Sequence, residues 1–263
     1  MFAEERQQKI LDQIRKNGAV TTAGLMEHFG VSIETVRRDL LQMEQAGQLR
    51  RVHGGAVTAG GVKPFQARGE REQLHGAQKA SLAAKAMEFL SEGDVIGVDA
   101  GSSTALYFAR ALKAHFRRMT VITCSLDVFE ILHDYAEFKV ILCGGYFQEK
   151  ERSFYGTPAA DMLSRLFMQK SFIFPAALSL EYGLHDHQDD LYPAQRQMMA
   201  SSGEIYVLAD SSKFEHKALL KVADMKRSFT YITDYDLSEN LMRLYAQSGL
   251  KVYKGEEPPA AGR

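Results

Sequence analysis

The sequence predicts an α/β protein in two parts, a small helical head followed by a doubly wound, mostly parallel sheet. Three observations predict it. Residues 1–57 carry helical periodicity punctuated by glycines and close on a Gly-Gly hairpin signal. Seven short runs rich in Val, Ile and Phe follow between residues 94 and 253. Helical patterns separate most of these runs, and strand–helix alternation over such a length is the signature of a parallel sheet with helices on its faces.

The head reads as three helices and a hairpin. Helix one covers about residues 4–16, with Ile10, Leu11 and Ile14 on one stripe, and stops at Asn17-Gly18. Thr21 N-caps a second helix, where Leu25 and Phe29 form an i, i+4 apolar pair. Gly24 inside that helix costs about 1 kcal/mol of propensity relative to Ala. Gly30 ends it through a left-handed turn, Val31 is the apolar turn residue, and Ser32 caps a third helix over residues 33–46. Residues 49–57 contain the Gly54-Gly55 turn.

At 100° per residue Ile33, Val36, Leu40 and Met43 share one face of the third helix, so Glu34, Thr35, Arg38 and Gln42 point outward and Arg37 lies on the flank. A helix set across another by a Gly-containing turn, with Thr and Arg on its exposed half, has the form of a recognition helix in a major groove. Arg38 suits a two-bonded contact to guanine and Arg37 a phosphate. The hairpin LRRVHGGA then makes a wing, with Arg50, Arg51 and His53 facing backbone or minor groove. Pattern alone also fits a small three-helix domain with an ordinary solvated basic face.

Composition bounds the rest. The chain has 263 residues, 45% hydrophobic and 25% charged, which excludes collagen-like, low-complexity and wholly disordered classes. No apolar run approaches the roughly 18 residues of a membrane span, and the N-terminus lacks an apolar signal region. Cys124 and Cys143 have no metal-ligand spacing, and a reduced, cytoplasmic protein is the simplest expectation. Net charge is −1, split as +1 over residues 1–58 and −2 over the remainder. A nucleic-acid role therefore rests on where charges sit, not on their sum.

We divide the chain into a head (1–57), a linker (58–75) with the Gly-rich run TAGGVKP, a body (76–255) and a disordered tail (256–263). Gly60-Gly61 is the expected hinge. The expected strands are 94–99, 119–124, 138–143, 170–175, 204–209, 228–233 and 250–253, with helices over 104–114, 126–134, 158–167, 193–202 and 238–247. Ligands of such sheets sit outside the carboxyl ends of the strands. Four strand ends stand out there. Asp99-Ala100-Gly101-Ser102-Ser103-Thr104 combines a close-approach glycine, hydroxyl donors and a helix N-terminus, the parts of a phosphate site or of a plain N-cap. Cys124-Ser125 and Cys143-Gly144-Gly145 read as core and turn or as ligand contacts. Asp210-Ser211-Ser212-Lys213 offers an ammonium to an anion. The run His185-Asp186-His187-Gln188-Asp189-Asp190 suits a solvated loop, a ligand-reading loop or a divalent metal.

The head, through GVSIETVRRDL and RRVHGGA at their spacing, resembles the winged helix-turn-helix of DeoR-family bacterial transcription regulators. Residues 76–255 resemble the sugar-phosphate sensor domain of that family, which is similar in fold to ribose-5-phosphate isomerase and coenzyme A transferases. DAGSST matches its phosphate loop, ITCS a motif that usually reads TNS, LCGG a glycine pair, SFYG (153–156) a Gly-containing segment and LADSSKF the late Lys-bearing loop. The resemblance implies a DNA-binding repressor of a carbohydrate-catabolism operon, released from double-stranded operator DNA by a phosphorylated sugar. It implies a homo-oligomer, dimer or tetramer, with no cofactor, no metal and no catalytic residues. The DNA-binding set is Thr21, Ser32, Glu34, Thr35, Arg37, Arg38, Arg50, Arg51, His53 and Gly54. The effector set is Asp99, Gly101, Ser102, Ser103, Thr104, Cys124, Ser125, Gly144, Gly145, Gly156, Asp210 and Lys213.

Three departures from the family pattern bear on the ligand. Cys124 stands where Asn is usual, PAALSLEYGL (175–184) where glycines are usual, and Gln195 where Lys is common. Losing that ammonium removes a charge-assisted bond of about 1.5–3 kcal/mol to an anion. Two alternatives stand beside the repressor: a sugar-phosphate isomerase or deaminase with an added head, using Asp99, Asp186 or Asp210 as base, and a transcriptional activator of the same architecture.

Overall fold

Caps and left-handed glycines set the head's local structure. In the computed structural model, which describes residues 2–59, 66–135 and 137–258, it holds α1 (Ala3–Asn17), β1 (Ala19–Thr21), α2 (Thr22–Phe29), α3 (Ile33–Gln45), β2 (Leu49–Val52) and β3 (Gly55–Thr58). Gly18 and Gly30 take left-handed φ and return their N–H groups to Ile14 and Met26 carbonyls, which ends α1 and α2. Ser32 Oγ accepts the Thr35 N–H at 3.4 Å and starts α3. The buried stripe of α3 is Val36, Leu40 and Met43, packed with Ile10, Ile14 and Leu25. Asp39 is buried on that face too, bridged by the Arg6 guanidinium of α1 at 2.5 and 3.0 Å.

The three strands of the head form one sheet in the order β1-β3-β2. Sequence reading passed over β1, because three residues are too few to show alternation. Gly24 has a reason as well. A Cβ there would lie 2.9 Å from Thr21 Oγ1, the group that accepts Gly24 N–H and caps α2.

The body begins with α4 (Arg68–Gln73) and α5 (Gly76–Met87) and continues β4 (Val95–Val98), α6 (Ser103–His115), β5 (Arg118–Thr123), α7 (Leu126–Leu132) and β6 (Glu137–Leu142). A hairpin of β7 (Tyr146–Gln148) and β8 (Ser153–Tyr155) leads to α8 (Thr157–Ser164) and β9 (Met168–Ile173). Then come β10 (Ala177–Ser179), β11 (Gly183–Asp186), α9 (Tyr192–Ala200), β12 (Ser202–Leu208), β13 (Leu220–Ala223), β14 (Thr230–Thr233), α10 (Glu239–Gln247) and β15 (Lys251–Lys254). The main sheet runs β15-β14-β12-β9-β4-β5-β6, with every neighbouring pair parallel. All seven expected strands are in it, each bounded within two residues of the expected ends.

One face is packed by α5, α6 and α7 through Leu82, Phe108, Leu112 and Leu132, with Phe172 stacked on Tyr206. The other is packed by α8, α9 and α10 through Leu163, Met198, Leu241 and Leu244. Strand order reverses between β4 and β9, the switch point where such sheets leave a crevice at their carboxyl ends. The short sheet β10-β11-β13 is not among the expected strands; its strands hold three or four residues each.

The head docks on α10. Ala19 and Val57 join the buried cluster of Leu241 and Leu244, and Asn240 Nδ2 donates to the Ala19 carbonyl at 3.0 Å. The hairpin tip is close enough that a Cβ on Gly54 would stand 2.3 Å from Gln247 Oε1. The expected hinge at Gly60-Gly61 and tail residues 259–263 lie outside the described residues. The expected disorder of the tail does not hold for Glu256, whose carbonyl accepts from Ser81 Oγ at 2.8 Å.

Candidate functional site

The exposed face of α3 is as the helical wheel requires. Glu34, Arg37 and Arg38 are exposed, Thr35 is half-buried, and Ser32 is exposed at the N-cap. Among the described residues neither Arg37 nor Arg38 forms an ion pair. Arg51 and His53 are exposed on the hairpin, with Arg51 Nε 3.9 Å from Glu44 Oε2.

Two residues assigned to the duplex sit elsewhere. Thr21 is buried, its hydroxyl committed to the α2 cap. Arg50 is 9% exposed and turned into the body, where its Nη2 donates to Glu215 Oε2 and to Ser179 Oγ, and its Nη1 donates to Glu181 at 3.0 Å. Alternation along β2 puts Arg50 and Arg51 on opposite faces. The sequence alone does not say which face the body covers. Glu215 is the missing half of that statement. Burial pushes its carboxyl up, opposed by the Arg50 guanidinium and by the Tyr245 hydroxyl, which donates to Oε1 at 2.7 Å.

A cleft opens at the switch point. Gly101, Ser102, Ser103, Thr104 and Lys213 of the expected effector set line it, and Asp210 lines an adjoining recess of about 140 Å³. Gly101 takes φ +77, and Ser102 caps α6 by accepting Thr104 N–H, so the first turn of that helix faces the cleft. Lys213 ends a single 3-10 turn capped by Asp210, which accepts Ser212 N–H.

Sequence reasoning missed several lining residues. Arg71 and Gln66 come from the stretch read as linker, and Lys79 from α5. Asp186, His187 and Gln188 come from the cluster left open. Arg71 is held by Glu151 and by the Gly101 carbonyl at 2.7 Å. Burial pushes the Lys79 ammonium down to about 8. The dense His/Asp run 185–190 was the usable signal for Asp186; nothing local marked Arg71.

The other expected effector residues do not reach the cleft. Ser125 is the buried cap of α7, accepting Val128 N–H. Cys124 is buried below the cleft floor beside Asp99 and Gln195. Gly144 and Gly145 are exposed where the β7–β8 hairpin begins, and a Cβ on Gly145 would meet the Tyr155 carbonyl at 2.4 Å. Gly156, at φ +84, packs on Tyr146. These glycines shape a hairpin whose turn carries Glu151. His185 and His187 also part company. Both ring nitrogens of His185 face carbonyl oxygens, of Ala218 and Tyr182, while His187 lines the cleft. Among the described residues no three His, Cys, Asp or Glu side chains gather as a metal site.

Asp99 lies below the cleft, beside Cys124 and Gln195. It is 4% exposed and accepts from Gln195 Nε2 at 2.7 Å, Ala100 N at 2.9 Å and Phe174 N at 3.4 Å. Burial raises its pKa from 3.8 to about 7, with nearby Asp186 adding to the rise. The fold therefore keeps a proton that the unfolded chain releases above pH 3.8. Stability from neutral Asp99 is complete below that value and declines until about 7, at up to about 1.4 kcal/mol per pH unit. Urea unfolding of the wild type should thus lose stability relative to Asp99→Asn across that window. Parallel pH curves for the two proteins would contradict the assignment.

A small head with an exposed, arginine-bearing helix and a cleft lined by Arg71 and Lys213 in a parallel sheet find their counterpart among known proteins. The family model described as the DeoR-like helix-turn-helix domain matches residues 6–60, and that described as the DeoR C terminal sensor domain matches residues 74–235. The chain belongs to the DeoR family of transcriptional regulators. Its relatives include the "L-fucose operon activator" of Haemophilus influenzae, 32% identical over 92% of this chain and 96% of that protein. The "Transcriptional repressor AccR" of Agrobacterium fabrum is 32% identical over 88% of this chain and 89% of its own. The "Putative aga operon transcriptional repressor" of Escherichia coli O157:H7 is 29% identical over 94% and 92%.

Solved structures give a partial likeness. Ribose 5-phosphate isomerase A from Neisseria gonorrhoeae matches at TM-score 0.40 and 18% identity, over 55% of this chain and 54% of that one. eIF2B delta from Chaetomium thermophilum matches at TM-score 0.45 and 16% identity, over 61% and 57%. The chain spans little more than half the length of either. As a DeoR-family regulator it is a DNA-binding protein. None of its described helices is long and apolar enough to cross a membrane.

Proposed function

We propose that this DeoR-family regulator is a repressor of a carbohydrate operon, released from its operator when a phosphorylated sugar occupies the cleft at the β4–β9 switch point. The observation that carries the reading is one short loop with two ends. Asp210 and Lys213 line the cleft and its recess, and Glu215, two residues on, holds Arg50 of the wing. Glu215 sits at φ +57, a left-handed conformation that a non-glycine residue keeps only when its surroundings fix it.

In this reading the phosphate lies against the α6 N-terminus, Lys213 and Arg71, and drawing Lys213 toward it shifts the Glu215 carboxylate and with it the wing. Ligand must prefer the DNA-incompetent arrangement, since equal affinity for both shifts nothing. Two heads on a symmetric dimer or tetramer read repeated half-sites at fixed helical spacing. Ser32, Glu34, Thr35, Arg37 and Arg38 of the α3 region face the duplex, joined by Arg51 and His53 near the Gly54 turn.

The test is gel shift on DNA upstream of the chain's own neighbouring genes at low salt, with a panel of phosphosugars as competitors. Retarded DNA freed by one phosphosugar is expected; no retardation with or without the panel would contradict the reading. Arg38→Ala is expected to cost about 1–3 kcal/mol and to relax preference at one base pair, whereas Arg37→Ala weakens all sequences alike. Equal losses on operator and random DNA for both variants would remove Arg38 from base reading.

A further inference from the structure

The cleft is cationic on one side and acidic on the other. Lys213, Arg71 and the first turn of α6 line one part, and the Asp186 carboxylate another. Beneath Asp186 lies Asp99, and the Gln195 amide faces both carboxyls. Among the described residues the donors that reach Asp99 or Asp186 are neutral amides: Gln195 Nε2 and the Ala100 and Phe174 N–H groups for Asp99, and the His187 N–H at 2.7 Å, the Gln188 N–H and the Gln195 amide for Asp186. Among the described residues neither carboxyl forms a salt bridge. Gln195, where the family resemblance expects a lysine, brings no charge to the pair; among the described residues the imidazole of His187 acts on Asp186, and burial pushes that imidazole below its ordinary range. A separate observation is an unpartnered acceptor in the recess that Arg71, Lys79 and Lys213 also line. Asp210 is 1% exposed, lines the recess, and among the described residues its Oδ2 has no hydrogen-bond partner.

The geometry points to an effector that carries a protonated amine as well as a phosphate, a phosphorylated amino sugar, its ammonium set against Asp186 and a hydroxyl on Asp210. This rests on the phosphosugar reading of the cleft and narrows it. A neutral sugar leaves Asp186 desolvated against a hydroxyl; an ammonium supplies the charge that Gln195 does not. The carboxyls also repel the phosphate end, which fixes the ligand's direction in the cleft.

Isothermal titration of the full chain with matched probes tests this: glucosamine 6-phosphate and galactosamine 6-phosphate, their N-acetyl forms, glucose 6-phosphate, galactose 6-phosphate and inorganic phosphate. At least one free amine should bind tenfold or more tighter than its neutral and N-acetylated counterparts. Asp186→Asn should bring that ratio close to one, and Gln195→Lys should reverse it, each checked for folding by thermal melt. Equal or tighter binding of the neutral sugars overturns the amine assignment and leaves the phosphosugar reading standing. If no sugar phosphate binds better than inorganic phosphate, both fall together.

Discussion

Replacing Arg50 with alanine is expected to lower the unfolding free energy by about 3–5 kcal/mol and to abolish the ligand response of any DNA binding that remains. The reason is the partner left behind. Glu215 is 2% exposed, and without the guanidinium its carboxylate is a buried charge with only neutral donors, Tyr245 Oη and Leu180 N. The double variant Arg50→Met, Glu215→Gln should recover most of the loss, because an apolar side chain and a neutral amide leave no charge to strand. Urea unfolding of the two variants and the wild type reads both effects. An Arg50 that contacts phosphate would behave otherwise: alanine would leave stability unchanged and lower the salt dependence of DNA binding by about one unit.

Asp39→Ala is expected to cost a comparable amount, about 3–5 kcal/mol, within the head. Asp39 neighbours Arg38 in sequence, yet it points inward and receives the Arg6 guanidinium in a two-bonded pair between α1 and α3. Alanine strands the buried Arg6, and the α1–α3 packing that presents the exposed α3 side chains loosens. DNA affinity should fall for operator and random sequence together, with an earlier melting transition. Arg38→Ala, by contrast, should leave melting unchanged. A normal melting curve for Asp39→Ala with a selective loss of operator binding would place Asp39 on the duplex instead.

Much of this architecture was legible because it is periodic or punctuated. The α3 wheel, the Gly18 and Gly30 stops and the seven apolar strands are local signals, and each is where the sequence places it. Local signals do not say which element lies against which. Arg50 and Arg51 are equivalent on the page, and only the docking of β2 on the body separates them. Arg71 looked like linker because its significance comes from Glu151, 80 residues away. The family motifs placed Gly101 through Thr104 and Lys213 at the cleft, but Gly144, Gly145 and Gly156 are required by a backbone close approach rather than by a ligand. Asp186 was visible only as one acid of the run 185–190; its weight comes from the Gln195 amide, which faces both it and Asp99.

The most direct measurement is operator affinity, by fluorescence anisotropy, for the full chain with and without a saturating phosphosugar shown by calorimetry to bind. Occupying the cleft should weaken operator binding by roughly 5- to 150-fold, the range of about 1–3 kcal/mol of coupling. Disrupting the Glu215–Arg50 pair should flatten that response. Unchanged operator affinity with the sugar demonstrably bound would contradict the account.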